Sequence, residues 1–330
     1  MDTEHGKDPE KLIELDGQKI GTDGILKLFQ ERNLKEIMRL SLRQNELGDE
    51  EAILLFKDRN WSHLKEIFLS TNQISDEGAF AIGNNPTMSN LEDLRLAECE
   101  IGDVGVANLA NNTLWTNLKS LSLLKNNIGD EGAAALGNNQ TWKNLERLWL
   151  NDNQIGNFGA IAIAENKTWA NLKTISLANN IISEVGASVL GKSAVWVQLE
   201  EIYLDGNHIG DSGVAAIAEN VTWTNLKSLS LSKNNIGKEG ATVLGNNNSW
   251  IKLEALWLGD NQLKDDGAIG LAMNTSWVGL KKLELFRNNI GTIGTKALGS
   301  NSAWNNLEEL GLHQNIMGDD GAIFTAESST

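Results

Sequence analysis

The sequence predicts an α/β solenoid in which short parallel strands alternate with helices. Three observations indicate this fold. A leucine recurs every 27 residues without an insertion. The apolar alternation just before it is typical of a short strand with one buried face. The end of each repeat has small residues and leucine at helical spacing, as in Ala133 to Leu136. The recurring leucines are Leu15, Leu42, Leu69, Leu96, Leu123, Leu150, Leu177, Leu204, Leu231, Leu258, Leu285 and Leu312.

The repeats must stack, because no single repeat can bury its own leucines. Twelve stacked repeats share a continuous core, so we expect one domain over residues 1–330. Residues 1–24 are expected to form an N-terminal capping repeat, because Lys7 and Glu10 stand where later repeats have a tryptophan and a leucine. Residues 313–330 are expected to form a polar C-terminal cap or a truncated repeat.

The full repeat pattern, L-x-x-L-x-L-x-x-N-x-I-G, is visible at Leu118, Leu121, Leu123, Asn126 and Ile128. It resembles the leucine-rich repeat, and the long repeat with a helical second half is similar to the ribonuclease-inhibitor type. The resemblance implies a right-handed, horseshoe-shaped solenoid with a parallel sheet on its concave side and helices on its convex side. That type also includes the sensor arms of NOD-like receptors and the activating protein of the Ran GTPase, so the resemblance implies a role in binding proteins.

The net charge and the cysteine content of the chain restrict its possible binding partners and its cellular location. The net charge of −16 disfavours nucleic acid and anionic membranes, because both reward a basic surface. We expect a protein partner with a basic and apolar surface, and a monomeric chain. Cys99 is the only cysteine, and the N-terminus lacks the pattern of a signal peptide. A cytoplasmic location is expected, or delivery into a host cytosol if the protein comes from a microbe.

Two residue columns are predicted to be structural. An asparagine that can satisfy open backbone groups fills one site in ten of twelve repeats: Asn45, Asn72, Asn126, Asn153, Asn180, Asn207, Asn234, Asn261, Asn288 and Asn315. Cys99 occupies the same site, which favours a structural role over a nucleophilic one. Nine tryptophans ahead of the strands predict a buried aromatic column: Trp61, Trp115, Trp142, Trp169, Trp196, Trp223, Trp250, Trp277 and Trp304.

A second period, equal to two repeats, appears in the charges that precede the strands. Lysine and glutamate alternate there, so neighbouring repeats carry opposite signs: Lys65, Glu92, Lys119, Glu146, Lys173, Glu200, Lys227, Glu254, Lys281 and Glu308. Parallel strands lie about 4.8 Å apart, so the alternation predicts a ladder of ion pairs. We interpret this charge ladder as structural; duplication of a two-repeat unit would also produce it.

No pattern for catalysis or cofactor binding is visible. The four histidines share no metal-ligand spacing, and no cysteine cluster accompanies them. Glycine pairs such as Gly129 and Gly132 recur in most repeats without the Gly-Lys-Ser/Thr of a nucleotide loop. Acidic residues such as Asp49 stand where they would support a helix N-terminus. We therefore expect neither an enzyme nor a cofactor.

Residues that point out of the concave face vary between repeats, as recognition requires. Trp149, Tyr203 and Trp257 lie two repeats apart, so we expect a row of rings in steps of about 10 Å that spans about 20 Å. The full candidate set for partner binding is Phe68, Arg95, Arg147, Trp149, Asp152, Tyr203, Asp205, Trp257, Asp260 and Phe286. Alternatively, the three aromatics are relics of duplication that pack on their neighbours.

Two functions remain open at the level of sequence. The first is a protein-binding scaffold that uses the concave sheet face. The alternative is a regulator of a small GTPase that resembles the activating protein of Ran. A fold supports many functions, so the sequence does not identify the partner.

Overall fold

A computed structural model describes residues 11–57, 59–319 and 321. These residues form twelve three-residue strands: β1 (Leu12–Glu14), β2 (Arg39–Ser41), β3 (Glu66–Phe68), β4 (Asp93–Arg95), β5 (Ser120–Ser122), β6 (Arg147–Trp149), β7 (Thr174–Ser176), β8 (Glu201–Tyr203), β9 (Ser228–Ser230), β10 (Ala255–Trp257), β11 (Lys282–Glu284) and β12 (Glu309–Gly311). Lys7, Glu10 and most of the expected C-terminal cap lie outside the described residues.

Helices alternate with these strands. They are α1 (Gly21–Glu31), α2 (Asp49–Phe56), α3 (Asp76–Gly83), α4 (Asp103–Ala110), α5 (Asp130–Gly137), α6 (Asn157–Glu165), α7 (Glu184–Gly191), α8 (Gly210–Ala218), α9 (Lys238–Gly245), α10 (Lys264–Ala272) and α11 (Thr292–Gly299). A 3-10 turn, Leu34–Glu36, precedes β2. Within the described ranges, none of these helices has both the length and the apolar character needed to cross a bilayer.

The chain divides into two compact units. The first comprises Met1–Gln154 and Asn166–Trp169, and the second comprises Ile155–Glu165 and Ala170–Thr330. In the first unit, β1 to β6 pair in chain order, and in the second, β7 to β12 do so. The pairs are parallel, and each residue faces its equivalent in the next repeat, such as Leu121 with Leu148. The predicted alternation of parallel strands and helices is confirmed, and the single-domain interpretation stays a prediction.

The tryptophan column lies in the core, as predicted. Its members from Trp61 to Trp277 have no exposed surface, and Trp304 is 5% exposed. Two neighbouring pairs stack, with ring centroids 6.3 Å apart between Trp115 and Trp142 and also between Trp196 and Trp223. Full burial excludes these rings as contacts for a partner.

The asparagine column forms the predicted ladder. In Asn207, Oδ1 accepts a hydrogen bond from the backbone N–H of Ile182 (2.9 Å). Its Nδ2 donates to the carbonyl oxygens of Leu177 and Leu204, each at 3.0 Å. Each such side chain therefore joins two repeats at the point where the chain leaves a strand, and satisfies backbone groups that would otherwise be buried without partners.

Cys99 replaces asparagine in this ladder. Its Sγ donates to the carbonyl oxygens of Leu69 and Ala97 at 3.7 Å. Burial raises the pKa of the thiol to about 11, although backbone N–H groups of Asn72 and Ile74 partly oppose the shift. The thiol stays protonated at neutral pH, which agrees with the structural role expected from the sequence.

A second asparagine ladder was missed in the sequence. Asn139, for example, donates from Nδ2 to the carbonyl oxygen of Ala110 at the end of α4 (2.7 Å), and its Oδ1 accepts from the backbone N–H of Trp142 (2.9 Å). Asn166 and Asn220 make equivalent bonds. All three begin N-x-S/T sequences, but they are buried in this ladder. Glycosylation of these side chains would break it.

Candidate functional site

Within each unit, strand geometry places the candidate side chains of the strands on the side away from the core. Successive side chains of a strand point to opposite sides, and the middle residue of each of β1 to β11 is buried in the core. The first and third residues therefore point away from that core. We refer to these two positions of each strand as the strand face.

In the second unit, Tyr203 and Trp257 occupy third positions on β8 and β10. Strand β9 pairs with both and places Ser230, only 5% exposed, between them. The ring centroids lie 6.4 Å apart, with the planes at 43°. The expected step of about 10 Å, two strand spacings, is wrong for this pair. The rings lean toward each other because the small serine leaves space between them.

Carboxylates accompany these rings. Tyr203 donates its hydroxyl to Oε2 of Glu201 (3.3 Å). The carboxylate of Asp205 accepts from the hydroxyl of Ser230 and from the backbone N–H of Ser232 (3.0 Å). Burial raises the pKa of Tyr203 to about 12, and the charges of Glu201 and Asp205 add to the increase. The two carboxylates therefore add to the effect of burial in disfavouring a negative charge on Tyr203.

Asp260 lies in the loop that follows β10, and Phe286 lies in the loop that follows β11. The half-buried Phe286 ring stacks on His313, with centroids 4.9 Å apart and planes at 10°. It also covers the backbone of Gly259, where a Cβ would fall 2.1 Å from Cε1 of the ring. Asp260 accepts from Arg287 (3.5 Å). Sequence reasoning included Phe286 but missed His313, which has the same position one repeat later.

Trp149, Arg147 and Asp152 belong to the first unit. Trp149 and Arg147 occupy the third and first positions of β6, and both are half-buried, so neither is part of the core. Nη1 of Arg147 lies 3.9 Å from Oε2 of Glu146. Asp152 accepts from Nδ2 of Asn151 (2.9 Å). A continuous row that joins Trp149 to the aromatics of the second unit stays a prediction.

Phe68, also in the first unit, is less accessible than its position in the sequence indicates. Guanidinium groups of Arg39, Arg43 and Arg95 lie over its ring at 5.5, 5.7 and 4.5 Å from the centroid. The ring is consequently only 8% exposed. Arg95 is half exposed and paired with Asp93 (2.8 Å). A partner that reaches this place would contact Arg95 before Phe68.

No metal centre is apparent in the part of the chain that the structure describes, since its His, Cys, Asp and Glu residues form no group of three that could hold an ion. In the second unit the strand face presents a pair of tilted rings beside carboxylates, and in the first unit it presents guanidinium groups such as that of Arg95. This arrangement suits non-covalent recognition by stacking, ion pairing and hydrogen bonds.

Comparisons with known proteins agree with the repeat architecture. No curated protein matches this chain. Among solved structures, an internalin (inlF) from Listeria monocytogenes is 20% identical, with a TM-score of 0.51 over 90% of this chain and 89% of that chain. A TDR receptor is 19% identical, with a TM-score of 0.50 over 84% of this chain and 47% of that chain. At these identities the likeness shows the fold alone.

A family model described as Leucine Rich repeat matches residues 62–83, 87–110, 116–137, 143–164, 199–218, 224–245, 251–272 and 280–299. The matched segments together make up more than half of the chain. They follow the same period as the strands and helices of the structure. Members of this family generally act by binding other proteins. The chain belongs to the leucine-rich repeat family.

Proposed function

We propose that this chain is a non-enzymatic protein-binding module whose contact surface centres on Tyr203 and Trp257 of the strand face. The observation that carries the proposal is the tilted pair of half-buried rings on either side of Ser230, with the Asp205 carboxylate bonded to that serine. Large aromatics with a polar border are typical of interface hot spots. A core role would require these rings to be buried, as the tryptophan column is.

The proposed partner presents apolar side chains flanked by lysine or arginine. A cationic side chain that approaches Tyr203 and Trp257 would meet two ring faces, an interaction of about 0.5–1 kcal/mol at an exposed site. The carboxylates of Glu201 and Asp205 lie beside the same rings and would attract it further. The net charge of −16 would also increase the association rate of a basic protein.

We also propose the ribonuclease-inhibitor-like subtype and a reducing location. The subtype rests on the regular short helices that recur in successive repeats. The location, a cytoplasm or a host cytosol, rests on the buried thiol of Cys99 and the structural use of Asn139, Asn166 and Asn220. Neither feature requires an oxidising or glycosylating compartment.

The test is affinity capture with the wild-type chain, followed by binding measurements on the partner that is recovered. The double variant Tyr203→Ala/Trp257→Ala should lose about 2 kcal/mol or more of binding free energy. Its thermal unfolding should change little, because neither ring is part of the core. A matched control is Phe158→Ala, which removes a ring that is 76% exposed on helix α6 of the same unit.

Loss of binding in the double variant but not in the control would support the proposed surface. If the partner binds the wild type and the folded double variant with equal affinity, the proposed surface is contradicted and a contact surface in the loops is favoured. Recovery of a small GTPase whose hydrolysis rate rises on binding would instead favour the regulator that the sequence left open.

A further inference from the structure

A set of exposed apolar side chains lies in the second unit, in the loops that lead into its strands. Its members are in the segments that lead from helices α7–α10 into strands β8–β11. We call it the loop-edge patch; it consists of Val197, Val221, Ile251, Met273 and Val278, which are 43%, 64%, 57%, 69% and 53% exposed. Apolar side chains that are exposed in successive repeats indicate an interaction site more strongly than a single exposed residue does.

The repeat pattern itself does not require this apolar character. Val197, Ile251 and Val278 each follow a buried tryptophan directly. The same position in four repeats of the first unit is polar, with Ser62, Ser89, Thr116 and Lys143. The packing around the tryptophan is therefore compatible with polar residues at this position. Packing within the repeat does not explain why this position has valine or isoleucine in the second unit.

The charge ladder runs beside the patch. Four residues after each tryptophan stand Glu200, Lys227, Glu254 and Lys281, in the order minus, plus, minus, plus. Lys227 pairs with Glu200 at 2.6 Å, and Lys281 pairs with Glu254 at 2.7 Å. Their side chains remain between 35% and 50% exposed. Each charge can therefore still interact with a molecule that covers this edge.

The order of these four charges is complementary to the same order in a second copy that runs in the opposite direction, because each minus then faces a plus. Strands β8 to β11 pair in register, with each residue facing its equivalent in the next repeat, so the four positions are evenly spaced. A two-fold axis between β9 and β10 would place Glu200 opposite Lys281 of a second copy, and Lys227 opposite Glu254. The same axis would place Val197 opposite Val278 and Ile251 opposite Thr224, so apolar contacts would lie alongside the ion pairs.

We propose that the loop edge of repeats β8 to β11 binds a second copy of this chain through a two-fold axis. Such an interface is isologous, the commonest arrangement in soluble homo-oligomers. The patch is small compared with a standard stable interface, so a weak, reversible dimer is expected. Its formation should weaken at high salt, because the opposed charges are partly exposed. This proposal differs from the monomer expected from the sequence, and it is independent of the partner proposed for the strand face.

Sedimentation equilibrium of the full chain, from low micromolar to near-millimolar concentration, tests the proposal. The wild type should dimerise with a dissociation constant that increases with salt. Ile251→Glu should raise that constant at least about tenfold, or 1.4 kcal/mol, because two new carboxylates would flank the axis. The matched control is Ile181→Glu in the same unit, since Ile181 is also 57% exposed but lies outside the patch. It should dimerise like the wild type.

Charge variants distinguish the effect of ion pairs within one chain from the effect of ion pairs between two copies. The single variant Lys227→Glu would face Glu254 of the second copy and weaken the dimer. The double variant Lys227→Glu/Glu254→Lys restores opposite charges across the axis but places like charges side by side within each chain. It should therefore dimerise more strongly than the single variant even though its thermal stability is lower than that of the wild type. A wild type that stays monomeric at every concentration, or equal dissociation constants for the wild type and Ile251→Glu, would overturn the proposal.

Discussion

The carboxylate of Asp103 accepts a hydrogen bond of 2.7 Å from the backbone N–H of Gly129, the residue that precedes helix α5 of the next repeat. The same oxygen accepts from the N–H of Gly132 at 2.8 Å. An acidic residue at the start of one helix thus caps the helix that follows. Asp49, Asp76, Asp211 and Asp265 repeat the arrangement, and Asn157 does so with an amide.

We predict that Asp103→Ala lowers the free energy of unfolding by about 1–2 kcal/mol, because α5 loses its side-chain cap. Asp103→Asn should retain most of that stability, since the amide oxygen of Asn157 makes the equivalent bonds to Ser183 and Gly186. Urea unfolding followed by circular dichroism measures both. If Ala and Asn lower the midpoint equally, the carbonyl-type acceptor is not what stabilises this helix.

Asn207→Ala should cost about 1–3 kcal/mol, because backbone groups of two neighbouring repeats lose their partner while they stay buried. The control is Asn305→Ala, which removes an exposed amide from a loop of the same unit. Urea midpoints that are unchanged for Asn207→Ala, or shifted equally in both variants, would contradict the stabilising role of the ladder.

The charge ladder gives a prediction about pH and salt. Partial burial alone would raise the pKa of the Glu92 carboxyl, but hydrogen bonds from Lys119 and Lys65 outweigh it and hold the pKa below its usual value. Because folding lowers this pKa, the carboxylate stabilises the fold above its usual pKa. That contribution is lost as the pH falls through the lower value of the folded state.

Glu92→Gln should therefore cost about 0.5–1 kcal/mol at neutral pH and low salt. The difference from the wild type should shrink at high salt and disappear in acid. Glu100→Gln, which changes an exposed loop carboxylate in the same unit, is the control. A cost for Glu92→Gln that is independent of both salt and pH would show that the charge of Glu92 is not the stabilising feature.

Much of this architecture follows from the period alone, because a constant repeat length places equivalent positions on paired strands. The Asn207 and Trp223 columns could be predicted for that reason. The second asparagine ladder is just as periodic, and Asn139 stands three residues before Trp142 as its equivalents do before other tryptophans. The period identifies this column as well, but it does not show that the asparagine side chain bonds to the carbonyl group at the end of the helix one repeat earlier.

The candidate site was less predictable. The period determines the spacing of Cα atoms but not the rotamers of large side chains, which depend on the size of the residues between them. Tyr203 and Trp257 converge because Ser230 is small, and Phe68 is covered because three arginines from the neighbouring repeats reach its ring. Both side-chain arrangements depend on how residues from several repeats pack against each other.

Cys99 should be nearly inert in the folded chain. With the pKa raised to about 11, the thiolate fraction at mildly alkaline pH is about a hundredfold lower than for an ordinary thiol. The reaction with a disulfide reagent should be slow in buffer and fast in urea. An exposed reference thiol is provided by Ser302→Cys, which should react rapidly in both conditions. Equal rates for the two cysteines in buffer would contradict the structural role of Cys99.

The residue two positions after each recurring leucine adopts a left-handed conformation, with φ of +61° at Thr71 and +63° at Gly206. This conformation is unfavourable for a β-branched residue. Thr71→Gly and Thr71→Asn should therefore raise the free energy of unfolding by about 0.5–1 kcal/mol, even though glycine adds entropy to the unfolded chain. Gly206→Ala should lower it, because the new Cβ would lie 2.2 Å from Oδ1 of Asn179. Urea unfolding of the three variants measures these changes, and a loss of stability in both Thr71 variants would show that contacts of the threonine side chain outweigh the backbone strain.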